Sequence, residues 1–299
     1  MSRGGEFAFI DRLVERLPGP PAGQTWIGDD CAVLADGRLI ATDVLVEGVH
    51  FRSAWTDPAD IGFKALAVNL SDIAAMGGAP ECAVVAVALP SDRAGLADEL
   101  LAGLSECAEL YACPLVGGDT SAGPALFIAV TVTGHADRPV LRSGAGPGEA
   151  VFVTGPLGAA AAALDRLEAG EPAPTETSLH RPLPRLGEGR AASSAEATAM
   201  LDLSDGLAVD VRRIARASGV GIGLDPDAIP VAEGAGLEQA VSGGDDYELC
   251  FTAPDPDRVL AAFDRAGLRQ PMAIGVTIDG AEVTLGGQPL QGGWEHPLR

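Results

Sequence analysis

The sequence predicts an α/β (α+β) protein of two domains. Three observations carry that expectation. Helix-spaced and strand-like apolar runs mix along the whole chain, and 299 residues suffice for two domains of common size. A Gly/Pro-rich break, RSGAGPGE at 142–149, interrupts the pattern near the middle. The expected domains are residues 1–140 and 141–299. Hydrophobic residues make up 47% of the chain, as in globular proteins. Gly (39) and Pro (22) read as tight loops between short elements.

Phe7, Ile10, Leu13, Val14 and Leu17 recur at helical spacing and predict a helix over 6–17. Strands are expected at 31–34 and 39–42, on either side of an Asp36-Gly37 turn. Pro58 suits the first turn of a long helix, which Gly77-Gly78 and Pro80 would end. The apolar run 82–89 suits a buried strand, followed by a helix over 92–111 and a strand over 125–133. Beyond the break come a strand at 151–154, an Ala-rich helix at 159–167 and a Pro/Thr/Glu-rich loop at 170–184. A strand at 200–203 feeds a helix at 206–217, and later strands fall at 247–252, 272–276 and 281–285. No short-period repeat is present.

Composition narrows the functional classes. Net charge is −22 and Lys64 is the only lysine, so the basic footprint of a nucleic-acid binder is missing. No apolar stretch reaches the ~18 residues of a membrane span, and the N-terminal segment carries charge where a signal peptide is apolar. Cys31, Cys82, Cys107, Cys113 and Cys250 include no CxxC pair, which argues against a disulfide framework or a zinc site. A cytoplasmic protein with neither nucleic-acid nor membrane partners is expected.

Six segments share one design, an Asp beside Gly, Ser or Thr at a strand end or helix start. They are GDD (28–30), ATD (41–43), NLSD (69–72), GGDT (117–120), DLSDG (202–206) and SGGDDYE (242–248). Glycine lets the backbone turn sharply, and carboxylate oxygens are the hard ligands magnesium prefers. In DLSDG, Asp202 ends a strand and Asp205 follows three residues later at a helix start, so one turn can aim both to one side. Several carboxylates meeting without a cation would repel one another, and a divalent ion removes the conflict. Any single Asp-Gly pair is more often a turn or a cap, and GGDT alone reads equally as a loop. A P-loop is excluded because Lys64 lies in GFKAL rather than in GxxxxGK[ST]; HRD with DFG and HExxH are also absent.

At these segments the chain resembles the thiamine-monophosphate kinases, of the aminoimidazole-ribonucleotide synthetase-like ATP-binding superfamily. The resemblance runs through GEFAFIDRL, IGDDCAV, ATDVLVEGVHF, AVNLSDIAAMGG, LVGGDTS, RSGAGPGE, LDLSDGL and SGGDDYELCFT to GGWEHP at 292–297. It implies an N-terminal α/β domain whose strands form a β-barrel with a second subunit of a homodimer. It further implies a C-terminal α/β domain and a nucleotide site in the cleft between the two.

Carried onto matching positions, Asp30, Thr42, Asp43, Asp72, Asp119, Asp202 and Asp205 would gather several Mg²⁺ ions around the phosphates of ATP. Gly118, Asp119, Arg142 and Ser204 would contact ATP; His50, Asp245 and Trp294 would contact thiamine monophosphate. By themselves, Arg142 also fits a linker arginine and Trp294 a core anchor. Three positions depart from the family pattern. Asp245 stands where Glu is usual, Ala41 replaces a frequent Ser or Thr, and Ala102 lies where an aromatic residue is expected. The implied reaction is direct in-line phosphoryl transfer from ATP with no nucleophilic residue.

Overall fold

The computed structural model describes residues 5–175 and 177–294. Helix α1 (Glu6–Arg16) is followed by β1 (Ala32–Val33), β2 (Arg38–Val46) and the long helix α2 (Pro58–Ala75). Strand β3 (Ala79–Leu89) leads through a 3₁₀ turn (Ser91–Leu96) into α3 (Ala97–Leu110), then β4 (Leu115–Ala122) and β5 (Phe127–His135). These strands form one sheet in the order β1-β2-β5-β3-β4, antiparallel except for the parallel pair β3 and β4.

Helix α2 is apolar nearly all round and is buried almost throughout, as a helix of that composition must be. It lies on the inner face of the sheet, with α3 packed against it. The α2–α3 approach depends on two glycines. A Cβ on Gly103 would lie 1.7 Å from the Ala59 carbonyl oxygen, and one on Gly62 would lie 2.1 Å from that of Leu100. Ile40, Val44, Val84 and Phe127 are exposed on the opposite, outer face.

The second half contains β6 (Ala150–Val153), α4 (Ala159–Glu168), α5 (Leu186–Ser194), β7 (Ala199–Asp202) and α6 (Leu207–Ser218). It continues through β8 (Gly221–Leu224), α7 (Leu237–Ser242), β9 (Leu249–Ala253), α8 (Pro256–Arg265), β10 (Met272–Ile278), β11 (Val283–Leu285) and β12 (Gln288–Pro289). The strands form a seven-stranded sheet, β12-β11-β8-β10-β6-β9-β7. Strand alternation divides its side chains between two cores. Phe152, Met200, Leu249 and Phe251 join the apolar cluster that also holds α2 and the first sheet. Val151, Val153, Leu201 and Cys250 join a second cluster with α6 and α7. Phe251 stacks between Phe152 and Phe263, with centroids 5.1 and 6.1 Å away. One core therefore spans both sheets and fixes the cleft between them.

The two α/β units are as expected, but the barrel is not. Neither sheet closes. In the first, β1 and β4 lie at opposite edges with no pairing between them, and β1 offers only two residues. A closed barrel fills its interior with strand side chains, whereas here a helix occupies the inner face. Among the described residues, no helix is long and apolar enough to cross a membrane.

Candidate active site

Three carboxylates from three separate elements converge in the cleft. Asp30 lies in the loop before β1, Asp72 in the last turn of α2, and Asp202 at the end of β7. One oxygen from each lies within 4.8 Å of the other two. The Ser71 hydroxyl donates to Asp202 Oδ2 at 2.5 Å. Arg142 Nη2 donates to Asp30 Oδ1 at 2.5 Å, and its main-chain N–H donates to the Asp29 carboxylate at 3.0 and 3.2 Å. Asp30 Oδ2 is buried and, among the described residues, has no hydrogen-bond partner.

The electrostatics of this group are strained. Burial, then the charge of Asp30, pushes the Asp202 carboxyl up to about 7. Burial, then Asp30 and Asp205, pushes Asp43 up to about 6. Burial, then Asp43 and Asp202, holds Asp72 well above the ordinary carboxylate range. One arginine does not balance so many acids in a low-dielectric cleft. The donors are all oxygen, and one is orphaned and buried, so the residues present fit a hard divalent cation such as magnesium.

The other expected metal residues are placed unevenly. Asp43 shares the inner face with the cluster, and its main-chain N–H donates to Asn69 Oδ1 at 2.9 Å. Thr42, next in the strand, faces the other way. Its hydroxyl donates to the Val130 carbonyl at 2.9 Å and accepts from Thr131 at 3.0 Å. Asp119 is exposed on edge strand β4 in register with exposed Ala86, which sets it on the outer face. Gly118, one residue earlier, lets β4 pass close to β3: a Cβ there would lie 1.9 Å from the Val85 carbonyl oxygen. Asp205 is held by Arg213 at 2.5 Å, and Arg213 also binds the buried Asp210 at 2.7 Å. Ala41 is buried on the inner face with only a methyl group to offer, and Ala102 is exposed on α3.

The three expected substrate residues lie around the same cleft. Asp245 adopts φ +65°. Its N–H donates to the Ser204 carbonyl at 2.8 Å, which ties this loop to the DLSDG turn. Lys64 Nζ donates to Asp245 Oδ2 at 2.7 Å, and the Tyr247 hydroxyl donates to Oδ1 at 3.0 Å. His50 Nδ1 accepts the Val46 N–H at 3.0 Å, leaving Nε2 as the protonated nitrogen. Trp294 is half exposed, and its main-chain N–H donates to the Asp205 carbonyl at 2.9 Å. Residues 295–297 of the GGWEHP segment lie outside the described residues.

Asp246 turns away from Asp245. Its carboxylate accepts the Gly158 N–H at the start of α4, at 2.8 and 3.0 Å. Lys64 and Arg213 lie outside the six acidic segments, and Asp29 and Tyr247 lie inside two of them without an expected role. For Lys64 a signal existed, since a charged side chain inside an otherwise apolar helix requires a partner.

The AIR synthase related protein N-terminal domain matches residues 28–136, and the corresponding C-terminal domain matches residues 146–288. Fold and site thus define a two-domain protein of the AIR synthase-related class. The thiamine-monophosphate kinase of Salmonella typhimurium is 38% identical, over 97% of this chain and 97% of its own. That of Mycobacterium tuberculosis is 39% identical, over 97% and 91%. The solved structure of AaThiL complexed with AMPPCP and TMP superposes with a TM-score of 0.88 at 33% identity, covering 98% of this chain and 97% of that one. Escherichia coli HypE, a hydrogenase maturation protein, shares the fold alone, at 21% identity and a TM-score of 0.72 over 98% and 96% of the two chains. The chain belongs to the thiamine-monophosphate kinase family.

Proposed function

We propose that this chain phosphorylates thiamine monophosphate to thiamine diphosphate with ATP. The observation that carries the reading is the meeting of Asp30, Asp72 and Asp202, from three elements, in the cleft between the two sheets. Asp30, Asp43, Asp72 and Asp202 would hold magnesium, with Asp205 beside them. Bound magnesium supplies the positive charge that lets two anionic phosphates approach.

An oxygen of the acceptor phosphate forms the new P–O bond. The bond to ADP breaks, and ADP leaves with the electron pair. That oxygen is already ionised at neutral pH, so no strong general base and no covalent enzyme intermediate are needed. Gly118, Asp119, Arg142 and Ser204 are assigned to ATP, and His50, Asp245 and Trp294 to thiamine monophosphate.

The exposed apolar outer face of the first sheet supports a homodimer, with Thr42 and Asp119 then lying at its interface. The division at 140/141 is supported by strands of one sheet ending at His135 and of the other starting at Ala150. Five free cysteines favour a cytoplasmic setting. The test is chromatographic detection of thiamine diphosphate from thiamine monophosphate, ATP and Mg²⁺. Product that appears only with both ATP and Mg²⁺ is expected; no product would overturn the assignment.

A further inference from the structure

Lys64 is the only lysine in a chain with 42 acidic residues, and its side chain is 1% exposed. An ammonium has three donors and no acceptor. Here each donor is met by a different segment. Asp245 Oδ2 lies at 2.7 Å, the Leu179 carbonyl at 3.0 Å and the His50 carbonyl at 3.4 Å. The lysine thus leaves the middle of α2 and binds the turn after β2, the 170–184 loop and the loop that precedes β9. Two of its three partners belong to residues assigned to the acceptor substrate.

The loop holding Asp245 needs support. Asp245 and Tyr247 both adopt left-handed φ, +65° and +51°, without being glycine. Non-glycine residues keep such conformations only when their surroundings enforce them. Asp245 and Tyr247 are pinned by main-chain bonds to Ser204 and Leu203, both 2.8 Å. The lysine adds the side-chain anchor. It also balances a carboxylate that would otherwise repel an incoming phosphate monoester.

We propose that Lys64 is the positioning residue of the acceptor pocket: it fixes the Asp245 carboxylate and the His50 turn in place before substrate arrives. The same pairing bears on the short side chain at 245, since Lys64 Nζ reaches the aspartate at 2.7 Å. The proposal rests on the assignment of His50 and Asp245 to thiamine monophosphate. Turnover by the unaltered protein tests that assignment separately.

The test compares steady-state kinetics of Lys64→Met, Asp245→Asn and the double variant. Each single change is expected to raise KM for thiamine monophosphate roughly tenfold or more while KM for ATP stays within about threefold. The double variant is expected to be no worse than the poorer single variant, because both remove one interaction. Equal shifts in both KM values, unchanged KM for thiamine monophosphate, or strictly multiplicative effects would overturn the proposal.

A second measurement needs no variant. With [ε-¹³C]lysine, the unaltered protein gives a single side-chain methylene resonance from Lys64. That resonance is expected to move when thiamine monophosphate is added without nucleotide. A resonance that stays fixed under saturating thiamine monophosphate would overturn the proposal even if Lys64→Met failed to fold. Normal turnover together with a negative result in these tests removes the role of Lys64 and leaves the kinase assignment standing.

Discussion

Among the described residues, two groups of carboxylates in or beside the core are finished differently. Around β9, Glu248 is enclosed by Arg185 at 2.5 Å, the Thr154 hydroxyl at 2.5 Å and Arg269 at 3.4 Å. Asp245, within the loop that precedes β9, is met by Lys64 and Tyr247. In the cleft, Asp30, Asp72 and Asp202 share one arginine and one serine hydroxyl, and Asp30 Oδ2 is left without a partner. Both regions place carboxylates in or beside the core; what differs is whether the chain supplies the compensating cations itself. The balanced group holds loops in place. The unbalanced group keeps a negative charge that a bound divalent cation would offset.

Four tests probe that contrast, in descending order of effect. Asp72→Asn and Asp202→Asn should each lower kcat by about 10³-fold or more, with far-UV circular dichroism unchanged, because charge stabilisation dominates phosphoryl transfer. Near-normal turnover in both would dissolve the distinction between the groups. Glu248→Gln should cost roughly 2–3 kcal/mol in urea unfolding, since Arg185 would lose its buried partner, while kcat per folded molecule stays near normal. If activity fell and stability did not, Glu248 would belong to the site rather than to the scaffold.

The third test uses pH in the absence of metal. An unfolded aspartate titrates near ~3.9. Folded Asp43 and Asp202 are raised to about 6 and about 7, so between those values and ~4 the folded state binds more protons than the unfolded state. Protonation therefore stabilises the fold, and stability falls as pH rises through about 6 to 7. In chelator, Asp202→Asn should gain roughly 1–3 kcal/mol over the unaltered chain at pH 7.5 and almost nothing near pH 4. A gain of equal size at both pH values would contradict the cause assigned here.

The smallest effect belongs to Asp246→Asn. Burial pushes the Asp246 carboxyl up to about 8 against the pull of the Gly158 N–H, so its surroundings disfavour the charged form. An amide oxygen can accept the same N–H. Thermal melts at pH 7 should differ by less than about 1 kcal/mol from the unaltered chain.

Much of this was legible in the sequence. Pro58 opening a helix that ends before Gly77, and Asp202 closing a strand three residues before Asp205, both appear as read. Local chemistry governs such features. The GGDT segment was harder: glycines weaken strand propensity, and only its parallel pairing with β3 makes it a strand. Thr42 and Asp43 stand side by side in a motif, yet strand alternation sends their side chains to opposite faces. Lys64 was legible as a charge that needs a partner inside an apolar helix, but which partners it takes was not, because two of the three lie 115 and 181 residues away. The barrel came from resemblance alone, and the two open sheets overturn it.

The unbalanced cleft is tested most directly by titrating the purified chain with Mn²⁺, read by electron paramagnetic resonance, alongside Asp72→Asn, Asp202→Asn and Glu248→Gln. Binding that is retained in Glu248→Gln and lost or greatly weakened in both aspartate variants is the expected result. Equal Mn²⁺ binding by all four proteins would contradict it.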